Sequence, residues 1–76
     1  MFHSQSKQAK LEIEKLFHEV QINLENNYKD LAIGARKQAE SKLTQFKEEG
    51  RLSDKVYHKL KITLDDYTKR MEGYHH

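Results

Sequence analysis

An all-α fold is predicted by three features of the sequence. Apolar residues recur three and four apart, proline is absent, and the composition is rich in Lys, Glu, Gln, Leu and Ala. The architecture expected from them is an antiparallel helical hairpin. A long first helix over residues 6–49 and a shorter second helix over 53–72 would associate into a dimeric helical bundle. The alternative is a compact monomeric three-helix bundle broken at Asn26 and Asn27. Either way, 76 residues make a single domain.

The first element rests on a stripe that starts with Ala9, Ile13, Phe17, Val20 and Leu24. It continues through Tyr28, Leu31, Ala35, Ala39, Leu43 and Phe46. Within it lies an eleven-residue repeat, with Ile13, Leu24, Ala35 and Phe46 in one row and Phe17, Tyr28 and Ala39 in another. Such a repeat corresponds to about 3.67 residues per turn and keeps a seam on one side of a nearly straight helix. The unbroken helix would be about 65 Å long. "LENNYKD" is its weak point: Asn26 and Asn27 are poor helix formers, and Asn27 followed by Asp30 has the look of an N-cap with an acidic partner. The stretch contains neither Gly nor Pro and the stripe keeps its phase across it, which favours continuity.

"FKEEGRLSDKVYHKL" holds the next boundary. Gly50 is suited to the left-handed residue that ends a helix, Leu52 can fold back on the last turn, and Ser53 can cap the next helix with Asp54 beside its free amides. Over about ten residues this resembles the "G-x-[IL]-[ST]" turns of small bacterial hairpin families, including the short C-terminal oligomerisation domain family. The resemblance implies a helical corner and no activity.

The second helix presents Val56, Tyr57, Leu60, Leu64, Tyr67 and Met71 on one side. Folded back about Arg51, it would set Phe46 against Val56 and Tyr57, Leu43 against Leu60, Ala39 against Leu64, and Ala35 against Tyr67. Gly34 would then leave room for Tyr67 and Met71, and Tyr28 would lie near Tyr74. This hairpin covers only half of the long helix. Ile13, Leu16, Phe17, Val20 and Leu24 are left as a partner interface, because burying each such side chain is worth about 1.5–3 kcal/mol. A second copy of the chain, or a partner protein's helix, is expected to cover them. Leu11, Ile22 and Ile33 lie elsewhere, eleven apart, and form no patch.

Small size and the lack of cysteine strengthen the expectation of self-association. A chain this short hides only about 60% of its unfolded surface, and no disulfide or thiolate metal site can staple it. Disorder is disfavoured by the regular apolar spacing and a formal charge of only +2. The chain is expected to be cytoplasmic, since it has no signal-like segment and no apolar run near the 20 residues that span a bilayer.

Catalysis is not expected. The sequence has no cysteine nucleophile, no "GxSxG" and no "GxxxxGK". No cofactor is expected either. Glu14 with His18, and Asp54 with His58, each place two metal-ligand types one turn apart, which is half a site. His75 and His76 offer adventitious binding. The alternative function is contact with nucleic acid or another polyanion. Residues 29–61 carry nine Lys and Arg against five Asp and Glu, and Lys47, Arg51, Lys55 and Lys59 cluster with Lys42 at the turn. A membrane-surface role is disfavoured because the polar face of the first helix mixes acids and bases evenly.

Overall fold

The computed structural model describes residues 2–72, with side chains from Ser6 onward. Three helices follow one another: α1 over Phe2–Glu25, α2 over Lys29–Glu48 and α3 over Asp54–Glu72. They form an elongated up-down-up bundle of 44 × 17 × 15 Å. Among the described residues there is no strand, and no helix is long and apolar enough to cross a membrane.

The expected single helix over 6–49 is therefore two helices, and the three-helix alternative fits. The break is a C-terminal cap. Asn27 adopts φ 64°, its N–H donates to the Leu24 carbonyl at 3.1 Å, and the Tyr28 N–H donates to the Asn23 carbonyl at 2.7 Å. This pair of bonds is the Schellman pattern, with asparagine in the place usually taken by glycine. Asn is among the few residues with a side chain that tolerates the left-handed region. The Ile22 carbonyl accepts the Asn26 backbone N–H at 3.0 Å, and the Asn26 side-chain amide is a second donor to the same oxygen at 3.0 Å. Asn27 thus ends α1 and does not cap α2. The residue at that cap is Tyr28, which makes no side-chain capping bond.

The second corner repeats the device with glycine. Gly50 has φ 72°, the Gly50 N–H donates to the Lys47 carbonyl at 3.1 Å, and the Arg51 N–H donates to the Phe46 carbonyl at 2.9 Å. Leu52 is buried, and the Ser53 hydroxyl accepts from the Val56 N–H at 3.2 Å, as the sequence pattern predicts. The Arg51 guanidinium lies 4.4 Å from the centre of the Phe46 ring, closing the corner over the largest fully buried side chain.

Turning back at Asn27 lays the N-terminal stripe against the rest of its own chain. Ile13 and Val20 are fully buried, Phe17 is 7% exposed, and Leu16 and Leu24 pack half-buried against the same cluster. The reason for assigning these five residues to another chain was that a hairpin would leave them uncovered. That reason is removed by α2 and α3, which supply Ala32, Ala39, Leu43, Leu60, Leu64 and Met71 as the facing wall. Tyr67 meets the Phe17 ring, with centroids 5.7 Å apart and planes tilted by 41°. Tyr74, His75 and His76 lie outside the described residues.

Gly34 does not have the packing role expected of it. A Cβ placed there would meet nothing within 4 Å. Gly34→Ala is therefore expected to stabilise the fold by up to about 1 kcal/mol through helix propensity alone. Gly50→Ala, at a positive φ, is expected to cost about 1–2 kcal/mol. Paired thermal melts should show shifts of opposite sign.

Candidate interaction groove

The three helices do not meet equally. α1 packs most closely on α2 and least on α3, so the α1–α3 seam stays open. Three adjoining recesses of roughly 270, 310 and 300 Å³ run along it. Lys10 and Val56 are shared by the first two, and Glu14, Leu60 and Thr63 by the last two, so they form one groove. From Ser6 to Gln21 it follows α1 for about 22 Å.

Toward the corner its floor is apolar, made by Leu52, Val56 and Leu60, and toward the far end the nearly buried Phe17 and Tyr67 lie beneath a mostly polar lining. Val56, Leu60 and Tyr67 lie toward α1 because α3 carries apolar side chains on a stripe wide enough to reach two neighbours, and α2 covers only part of it. At the corner end the rim is cationic. Lys7 and Lys10 come from α1, and Lys55 and Lys59 from the first two turns of α3. All four are exposed, and none makes an ion pair among the described residues. At the far end the rim is polar, with Glu14, His18, Gln21 and Thr63, and the Tyr67 hydroxyl donates to the Gln21 side-chain carbonyl at 3.4 Å.

The basic turn expected from sequence divides in two. Lys47 is bound to Asp54 and lies 5.2 Å from the Tyr57 ring, Arg51 is paired with Glu49 at 3.6 Å and held over Phe46, and Lys42 reaches Glu12 of α1 at 3.6 Å. These three serve the fold. Lys55 and Lys59 remain available, and the packing of α1 brings Lys7 and Lys10 beside them. The α1 lysines carried no signal in the sequence, because only the reversal at Asn27 places residues 7 and 10 next to residues 55 and 59.

The Lys47 ammonium also sets the ionisation of Asp54. The hydrogen bond from Lys47, followed by its charge, holds the Asp54 carboxyl below its ordinary range against an opposing effect of desolvation, with the charge of His58 the least of the causes. A carboxyl whose pKa is lowered by folding contributes stability that is fully present above its unfolded pKa, about 3.9, and is lost as pH falls through the lowered value. Acid titration of the wild type should therefore show a loss of stability below about pH 4 that Asp54→Asn does not share. The site is exposed, so the effect should shrink in high salt.

Glu14 with His18 and Asp54 with His58 gain no third ligand. Among the described residues no group of three His, Asp or Glu side chains is placed to hold a metal ion. Comparison with protein-family models, curated proteins and solved structures finds no match, so the functional reading rests on the geometry of the groove.

Proposed function

We propose that the chain is a non-enzymatic interaction domain that docks an acidic amphipathic helix of a partner protein in the α1–α3 groove. The observation that supports this reading is the combination, at the corner end, of an apolar floor with four lysines that have no carboxylate partner among the described residues. An amphipathic helix lays its apolar face into such a groove, and acidic residues flanking that face meet Lys7, Lys10, Lys55 and Lys59. The charge is confined to one end, so the acidic residues belong at one end of the ligand helix and a neutral polar segment at the other, over Gln21 and Thr63.

Nucleic acid fits the same lysines less well. A phosphate backbone makes no use of Leu52, Val56 and Leu60, and Glu14 stands in the middle of the track it would follow. The two partners differ in salt response. A fluorescein-labelled 18-residue helical peptide, leucine on one face and glutamate flanking it in its first two turns, is the protein-like probe. It should bind in a fluorescence-anisotropy titration, retain most of its affinity at 0.5 M salt through the apolar floor, and compete with its unlabelled form. A 20-nucleotide single strand that bound more tightly, with affinity collapsing as salt rises, would replace this reading by the polyanion alternative. No binding of the peptide at millimolar concentration would remove it.

A further inference from the structure

We propose that the chain exchanges α1 between two copies by straightening the α1–α2 joint into one continuous helix, giving a domain-swapped dimer. This does not depend on the occupant of the groove. The two sides of the joint are in helical phase: Tyr28 lies eleven residues after Phe17, and Leu31 eleven after Val20. Phe17 and Val20 are buried at 7% and 0% exposure, whereas Tyr28 and Leu31, the members of the same rows that fall at the bend, are 58% and 61% exposed. The folded-back form therefore interrupts an apolar seam at the bend. A straight helix restores it.

What holds the bend is slight. Asn27 is the only non-glycine residue of positive φ among the described residues, no proline stands nearby, and α2 begins without a side-chain cap. Straightening the joint gives the backbone groups of residues 26–28 helical partners in place of the Schellman pair. The α1 that leaves one α2–α3 pair is replaced by the α1 of the second copy, so the core contacts of Ile13, Phe17 and Val20 are remade. The second copy is the occupant that fits, because only it carries the same α1 with the same stripe. Tyr28 and Leu31 of the two chains then meet across the two-fold axis, the one contact that the folded-back form lacks.

The test uses the full chain at rising concentration by sedimentation equilibrium. Asn27→Ala disfavours the left-handed joint and favours helix, and should raise the dimerisation constant at least tenfold. Asn27→Gly, which tolerates the bend, should lower it. Asn26→Glu leaves Asn27 in place and should act in the same direction as Asn27→Ala, at least threefold, which keeps the test decisive if Asn27→Ala folds poorly. Leu31→Asp in the Asn27→Ala background should restore the mass of one chain. The exchange itself is read by spin labels at Gln8→Cys and Thr44→Cys, the only thiols in the chain. Diluted with unlabelled protein, a swapped dimer moves them from adjacent helices, about 10 Å apart, to about 54 Å along one helix. Dimerisation constants unchanged in both Asn27→Ala and Asn26→Glu, or a dimer that keeps the short intrachain distance, would overturn the proposal.

Discussion

Val20→Asp is expected to leave the chain largely unfolded at 25 °C, with most of its helical circular dichroism lost. Val20 has no exposed surface in the folded chain, and no polar or charged residue is buried among the described residues. A carboxylate placed there must be buried unpaired or protonated, at a cost of several kcal/mol, and the apolar contacts of the valine are lost as well. A domain of this size has about 4–11 kcal/mol in total, taking 0.05–0.15 kcal/mol per residue. One substitution can consume most of that. Leu11→Asp is the matched control: Leu11 is 53% exposed, and its change should stay within about 0.5 kcal/mol. Had the stripe served another chain, Val20→Asp would instead keep its helices and lose only mass.

The second large effect concerns binding. Lys10→Glu, Lys55→Glu and Lys59→Glu together should weaken capture of the acidic helical peptide by roughly 30- to 100-fold, about 2–3 kcal/mol. Each exposed charge contributes little alone, on the order of 0.5–1 kcal/mol, so the triple reversal is the informative variant. None of the three lysines makes an ion pair among the described residues, and all are exposed, so the melting temperature should hardly move. Reversing Lys42 and Lys47 removes the same number of charges per site but breaks the links to Glu12 and Asp54. That pair should lower stability more than affinity. The contrast separates lysines that hold the bundle from lysines that face outward.

How much of this was readable before folding is best seen at the two corners. Gly50, Leu52 and Ser53 announce theirs, because glycine at a helix end and serine three residues before a free amide are residue choices with a local physical cause. α3 follows from them, with Leu60, Leu64, Tyr67 and Met71 all buried as the stripe implies. The first corner is concealed. Asparagine can take the left-handed conformation without advertising it as glycine does, and the stripe runs through Asn26 and Asn27 without a change of phase, so periodicity reports continuity where the chain reverses.

That one ambiguity moved the expected site. With a continuous helix, Ile13, Phe17 and Val20 are an exposed arm seeking a partner; with a reversal, they are the core. The groove was legible only in part. Lys55 and Lys59 were visible as basic residues after the turn, but Lys7 and Lys10 depend on a contact between segments some fifty residues apart, which no local pattern encodes. Lys47 and Arg51 stood out for their charge and proved to be held by Asp54, Glu49 and the rings of Tyr57 and Phe46.

The most direct test of the groove as the binding surface is a two-dimensional amide NMR titration of the full chain with the unlabelled acidic helical peptide. The groove predicts shifts concentrated at residues 7–18 of α1 and at 52–63, in the second corner and the start of α3, with Glu40, Ser41, Thr44 and Glu48 on the outer side of α2 unmoved. Shifts centred on that side of α2, or spread evenly over all three helices, would contradict it.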